Sequence, residues 1–452
     1  MAERLVVVGG DAAGMSAATN ARRGRPDLEI VVVETGRRTS YSACGIPYLV
    51  GGAVPELDDL VVRTPQEFRD KHRIDVRTRH RAVAIDLDAR RLEVRALDQE
   101  RTFHLGFDLL QVATGAVPIR PDLPGIDAPW IHGVQNLEDA AGLLAAIATG
   151  PCRRVVVVGG GYIGLEMAEA FIDRGSHVTL VDGAPQPLRS VDPAFGQRIA
   201  EVMAGYGVDV RCGTSVEGFG DHVVHTGGGD IPADLVVLGI GVAPAAALAL
   251  DAGLQAGARG AIAVDHRQRT SAEGVYAAGD CADALHLVTG QRVHIALGTV
   301  ANKAGRVAGV NLGGGYASFP GVLGTAVTRI CETEVARTGL SEAEARAAGI
   351  EYVTGTADAT SRAGYFPGAE PVTAKVLAER GTGRLIGGQI IGADRVGKRI
   401  DTVATAITAR LSAAELVDLD LAYAPAVSPL VDPFQVAARQ AVHALAAAER
   451  SP

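Results

Sequence analysis

The stretch SYSACGIPY, residues 40–48, sets one cysteine, Cys44, at a bend shaped by Gly45 and Pro47. A free cysteine is most often a small buried hydrophobe. At a helix start it can instead be a nucleophile, because the amide dipoles there stabilise a thiolate. No second cysteine stands within CGIPYL, and the five cysteines (Cys44, Cys152, Cys212, Cys281 and Cys331) form no CxxC pair and no metal-ligand spacing. Redox work at Cys44 must then borrow its partner sulfur from outside the chain, or pass through a sulfenic acid. The other four cysteines read as structural, and no metal site is expected.

Two glycine constellations supply the second kind of chemistry. RLVVVGGDAAGMSAA holds Gly9, Gly10, Ala12, Ala13 and Gly14, and EIVVVE then ends at Glu34. RRVVVVGGGYIGLEMAEA holds Gly159, Gly161, Tyr162, Ile163, Gly164 and Glu166, and HVTLVD then ends at Asp182. Each is a β-branched strand, a glycine turn, a helix and a second strand closing on an acid. Small residues let the backbone approach a pyrophosphate, the helix N-terminus supplies amide donors, and the acid accepts from ribose hydroxyls. One such fingerprint is weak; two in one chain point to two dinucleotides. Asp11 stands where the second glycine of the first copy belongs, so its carboxylate must turn away from a pyrophosphate. Asp182 favours NADH, since a carboxylate repels a 2′-phosphate, whereas Arg189 is close enough in sequence to keep NADPH open.

The elements that must carry these residues fit a multidomain α/β chain. The length of 452 residues suits two to four domains, and the 56 glycines suit many tight strand–helix turns. A net charge of −9 gives no overall field for phosphate backbones and argues against general nucleic-acid binding. No run resembles a membrane span or signal peptide, so the cytoplasm is the expected location. Between the glycine units lie β-rich segments such as RAVAIDLDARRLEV, then DLLQVATGAVP. After the second unit come ADLVVLGIGVAP and TSAEGVYAAGDCAD. From about residue 326 strands give way to amphipathic helices, which predicts an α+β C-terminal domain. In the first helix Ser16, Asn20 and Arg23 share one face by spacing, and alanines fill much of the rest, as close helix–sheet packing wants.

Together these features resemble the two-dinucleotide-binding-domain flavoprotein disulfide reductases, over essentially the whole chain. The resemblance implies two Rossmann-like domains, an FAD-binding domain at 1–113 and 245–325 and an NAD(P)H-binding domain at 114–244. An α+β dimerisation domain would follow at 326–452. It implies FAD on the first unit and NADH or NADPH on the second, with NADH favoured. Gly279 and Asp280 of VYAAGD would meet the ribityl chain, and Thr114 and Gly115 mark the crossover between domains. Ala82, Gly241, Gly298 and Thr299 would add cofactor contacts. Glu166 would lie near flavin and nicotinamide, and Tyr162 either covers the nicotinamide pocket or packs.

The missing second cysteine sets the subgroup. SYSACGIPY resembles the single-cysteine class of the pyridine nucleotide-disulfide oxidoreductases. LAYAPAVSPLVDP and RAGYFPG are similar to the coenzyme A disulfide reductases within it. That likeness implies a homodimer in which Tyr365 and Tyr423 of one subunit face Cys44 of the other, Tyr423 as proton donor. It also implies that Ser16, Asn20, Arg23 and Ser40 hold coenzyme A, which would be stored on Cys44 as a mixed disulfide. The chain departs from that pattern at Ala43, where asparagine is common, at His72, Asn302 and Val431, and in APAVSP. The expected function is NAD(P)H-dependent reduction of coenzyme A disulfide, persulfide or polysulfide. The alternatives are an NADH oxidase or peroxidase using a Cys44 sulfenic acid, and a flavin-bound redox sensor.

Overall fold

Valine-rich runs that stop at glycine turns make strands buried on both faces, as parallel sheets require. In the computed structural model, which describes residues 3–450 apart from 151 and 394, Arg4–Val8 lies in the middle of such a sheet. It pairs in parallel with Glu29–Val33 on one side and Leu109–Val112 on the other, Val6 facing Val31 and Leu110. Asp75–Arg77 extends one edge, and Val275–Ala277, from far along the chain, extends the other. A second parallel sheet has the order Asp209–Cys212, His177–Asp182, Arg154–Val158, Leu235–Leu238, Ile131–Gly133. The sheet is entered and left through an antiparallel ribbon of Ala116–Pro118 and Val242–Pro244. The ribbon is closed at its base by the Thr114 hydroxyl donating to the Ala245 carbonyl (2.6 Å).

The C-terminal sheet is antiparallel throughout, in the order Ala326–Ile330, Thr333–Gly339, Leu385–Ala393, Pro371–Glu379, Tyr352–Thr360. The helix Pro433–Arg450 lies across it so closely that a Cβ on Gly355 would sit 1.9 Å from the Ala437 carbonyl. The fold is thus α/β with two Rossmann-like units and an α+β C-terminal unit, as expected. Residues 1–2 and 451–452, the outermost parts of the expected first and last domains, lie outside the described residues. Among the described residues no helix is long and apolar enough to cross a membrane.

One packing expectation is corrected. The alanines of the first helix, Ala12–Gly24, do more than pack on the sheet: Ala13, Ala17 and Ala21 face a second helix, Gly298–Leu312, and the Gly313 that caps it. Added Cβ atoms would meet the Ala13 carbonyl oxygen at 2.3 Å from Gly305 and the Ala17 carbonyl oxygen at 2.4 Å from Gly309. Two rows of small residues at four-residue spacing let the backbones nearly touch. The partner row lies almost three hundred residues on, out of sight of a local reading.

Candidate active site

The two glycine turns share one construction. Gly9 has φ +104°, and a Cβ there would sit 2.1 Å from the Ala113 carbonyl; Gly159 has φ +102° and the Gly239 carbonyl at 2.5 Å. Gly14 and Gly164 each press against the preceding turn, with Cβ positions 1.9 and 1.8 Å from the carbonyls of Gly9 and Gly159. Only glycine fits these four places, which leaves the backbone bare for a ligand. Glu34 accepts the amides of Gly10 (2.7 Å) and Gly36 (2.6 Å), and Asp182 those of Gly160 (2.6 Å) and Ala184 (2.8 Å). Each acid therefore braces its own glycine loop. Burial pushes the Glu34 carboxyl up.

Asp11 sends Oδ1 to the Tyr41 amide (3.2 Å), tying the first helix to the loop that carries Cys44. Burial raises its pKa to about 6. Ser40, on the same loop, holds φ +51° and donates its amide to the Gly10 carbonyl (3.0 Å). Ala12 opens the first helix, and Ala82 sits at a bulge in the strand His80–Asp86. Gly279 has φ +88° against Ala13, and the next residue, Asp280, keeps Oδ1 buried with no hydrogen-bond partner among the described residues. A buried carboxylate oxygen without a donor is unusual. A polyol hydroxyl would satisfy it, so the residues present suit a flavin dinucleotide. The His294 ring holds the Asp280 carbonyl (2.7 Å), and Gly298 and Thr299 open the helix beyond, both exposed.

In the second unit Gly161 caps the helix Tyr162–Asp173, Ile163 packs against the core, and Gly241 holds φ +100° at the ribbon. The Tyr162 hydroxyl lies 3.4 Å from the Ser190 hydroxyl, and Arg337 of the C-terminal sheet donates to the Ser190 carbonyl (2.5 Å). Tyr162 walls a cavity of about 560 Å³ shared with His294, Leu297, Ala326 and Arg337.

Cys44 is the exposed cysteine, in the 3₁₀ turn Ala43–Gly45 just before the helix Ile46–Gly51. The expected stabilisation by the turn's backbone amide is present but outweighed. Burial of the sulfur and then the Glu166 carboxylate push the thiol up, with Asp280 and Asp11 acting the same way. Glu166 is itself raised by burial and accepts the Thr328 hydroxyl (2.8 Å). Tyr48, one turn past Cys44, is raised by burial and by Glu166 and joins this group; the sequence reading gave it no role. Cys281 and Cys331 are buried, Cys152 and Cys212 half-buried.

The Ser16 hydroxyl donates to the Asn302 carbonyl (3.1 Å), and the Asn20 amide donates to the Ser16 carbonyl (2.8 Å). Arg23 is exposed at the end of that face, and its charge, with Arg63 and Lys71, acts on His72. Tyr365 and Tyr423 are 78% and 43% exposed, and the Tyr365 hydroxyl pushes the Tyr423 hydroxyl up. Val427 and Leu430 are exposed on the same C-terminal segment as Tyr423.

Comparison with known proteins matches this arrangement. The family model described as pyridine nucleotide-disulphide oxidoreductase covers residues 3–305, and the one for that family's dimerisation domain covers residues 325–432. A Methanocaldococcus jannaschii protein named NADH oxidase is 35% identical over 98% of this chain and 99% of its own. A Pyrococcus horikoshii protein named NAD(P)H coenzyme A polysulfide/persulfide reductase is 37% identical over 97% and 98%. The solved structure of reduced CoADR-RHD from Bacillus anthracis superimposes with a TM-score of 0.96 at 34% identity, over 99% of this chain and 81% of the other.

Proposed function

The chain belongs to the pyridine nucleotide-disulphide oxidoreductase family, which is FAD- and pyridine nucleotide-dependent, and from that premise we propose that it reduces coenzyme A disulfide, or a coenzyme A persulfide or polysulfide, through Cys44 alone. One juxtaposition carries the proposal. The sulfur of Cys44 lies in the fields of both Glu166, from the second glycine unit, and Asp280, from the turn after Val275–Ala277. Three residues distant in sequence meet where the two nucleotide units would face each other.

Residues 1–113 and 245–325 would hold FAD, with Gly9, Gly10 and Gly14 against its pyrophosphate, Glu34 on a ribose and Asp280 on the ribityl chain. Bound FAD would supply a two-electron relay between nicotinamide and sulfur. Residues 114–244 would hold the nicotinamide nucleotide, NADH by preference, with Tyr162 over the cavity that it walls. Residues 326–452 would build the homodimer.

The chemistry follows from charge. Burial and the Glu166 carboxylate disfavour a thiolate at Cys44. A neutral mixed disulfide with a small thiol carries no such penalty. In turnover the Cys44 sulfur attacks one sulfur of the substrate, the substrate S–S bond breaks, and the second thiol leaves with a proton. Tyr423, paired with Tyr365, would give that proton to the thiolate that leaves the substrate as the partner subunit's Cys44 attacks it. Ser16, Asn20, Arg23 and Ser40 would hold the coenzyme A chain.

The name of the Methanocaldococcus relative favours a second reading, an oxidase. Anaerobic oxidation of NADH and NADPH separates the two, followed with coenzyme A disulfide, with a persulfide and with no acceptor, then repeated in air. We expect disulfide- or persulfide-dependent oxidation that Cys44→Ser abolishes, and a coenzyme A adduct on Cys44 by mass spectrometry. Oxygen-dependent oxidation that survives Cys44→Ser, with no response to either sulfur acceptor, would overturn the proposal.

A further inference from the structure

Tyr365 and Tyr423 sit on separate loops, and one side chain grips both. Arg399 closes the turn Gly397–Arg399 ahead of the helix Ile400–Thr408. On the Tyr365 side its guanidinium donates to the Ser361 carbonyl (3.0 Å). On the Tyr423 side it donates to the Val427 carbonyl (3.1 Å), the Ser428 hydroxyl (3.3 Å) and the Asp432 carboxylate. Asp432 is itself fixed, since its other oxygen accepts the amide of Phe434 (2.9 Å) at the start of the C-terminal helix. The loops also touch directly, the Ala363 amide donating to the Pro425 carbonyl (3.1 Å).

We infer that Arg399 is the positioning residue of the tyrosine pair, the clamp that holds the Tyr365 and Tyr423 loops against one another. The inference rests on the reading above only for what the pair does; the clamp itself is a matter of the loops. Arginine suits the place because its planar fork serves four acceptors on two loops at fixed angles, whereas a lysine has one nitrogen to share among them. The tyrosines are exposed, so packing alone would not hold them. The Tyr365 hydroxyl pushes the Tyr423 hydroxyl up, so the Tyr423 titration follows how the two loops are held.

The test uses the flavin-loaded dimer labelled with ¹³Cζ-tyrosine, whose nine resonances are assigned at these two positions by Tyr365→Phe and Tyr423→Phe. In Arg399→Lys we expect the Tyr423 titration to fall toward that of a free tyrosine while the other tyrosines hold. The disulfide-consuming half-reaction of prereduced enzyme should slow about tenfold, part of the ~10²–10⁴ that a positioned acid supplies. Flavin reduction by NADH should not change. Ser428→Ala, which removes one acceptor and strands no charge, should give the same changes at smaller size, and it serves if the lysine variant does not fold. Unmoved Tyr365 and Tyr423 resonances in both variants overturn the inference. So does an unslowed disulfide step in Arg399→Lys when Tyr423→Phe slows it. If the resonances move and Tyr423→Phe leaves the disulfide step untouched, the clamp stands and the acid role assigned to Tyr423 falls.

Discussion

The Thr328 hydroxyl, on the first strand of the C-terminal sheet, donates to Glu166 Oε1 at 2.8 Å, so a carboxylate of the second glycine unit is held from a different unit of the fold. That carboxylate is the largest charge acting on Cys44, second only to burial in pushing the thiol up. Glu166→Gln removes the charge and keeps the shape, so the Cys44 pKa should fall. The pH profile of alkylation of the reduced enzyme should then move to lower pH, with a several-fold faster rate at neutral pH. Thr328→Val should act in the same direction more weakly, because losing its hydrogen bond lets the Glu166 carboxyl rise and hold a proton more often. An unchanged profile in Glu166→Gln would put Glu166 out of reach of the thiol.

Asp11 gives a second pH prediction, with its sign fixed by burial. Its folded pKa of about 6 lies above the ordinary 3.8, so the folded protein binds this proton more tightly than the unfolded chain does. The resulting stability is complete below pH ~4 and is lost as pH rises through about 6. Asp11→Asn can still accept the Tyr41 amide and carries no charge. At pH 7 it should be more stable than the parent by up to ~3 kcal/mol, and at pH 4 about equal. Thermal midpoints of both proteins at the two pH values check this, and a variant equally displaced at both would show that charge is not the cause.

Local patterns announced most of this architecture, and long-range meetings were the part that sequence could not show. Both glycine turns, their closing acids and the turn of Asp11 away from the loop were legible because each needs only neighbours within about one βαβ unit. The Ala13, Ala17 and Ala21 row was visible as a row, but its partner was not, because Gly305 and Gly309 belong to another segment altogether. Cys44 is read from the sequence as the redox cysteine, at a turn that would stabilise its thiolate. A bend before a short helix promises a lowered pKa, and Glu166, Asp280 and Asp11 converge there only in three dimensions. Arg399 gave no signal, since its acceptors lie 28 to 38 residues away on two loops with no shared pattern.

The contact between the first helix and Gly298–Leu312 can be tested by single methyl groups. Gly305→Ala would drive a Cβ to 2.3 Å from the Ala13 carbonyl, and backbone cannot step aside as a flexible side chain does. A loss of about 1–3 kcal/mol is expected from this overpacking, with weaker flavin retention because Ala13 also abuts Gly279. Gly142→Ala is the contrast. It lies in the helix Leu137–Thr149, where an added Cβ meets nothing within 4 Å, so it should gain about 0.5–1 kcal/mol. Equal effects of the two substitutions on the thermal midpoint would count against the close helix contact.

The last prediction concerns nucleotide choice and follows from how Asp182 is anchored. Its two oxygens accept the Gly160 and Ala184 amides at 2.6 and 2.8 Å, which fixes a negative charge at the end of the strand His177–Asp182. If the second unit holds the nucleotide, a 2′-phosphate must approach that charge, whereas a 2′-hydroxyl can donate to it. The parent should therefore show the higher kcat/KM with NADH. Asp182→Asn keeps one acceptor for the loop amides and removes the repulsion, so the NADPH-to-NADH ratio of kcat/KM should rise about tenfold, equivalent to ~1.4 kcal/mol. Arg189 is exposed seven residues on and supplies the opposing pull, so Arg189→Ala should cut activity with NADPH while leaving NADH nearly as it was. A parent that prefers NADPH and loses that preference in Arg189→Ala would transfer the choice from the carboxylate to the arginine.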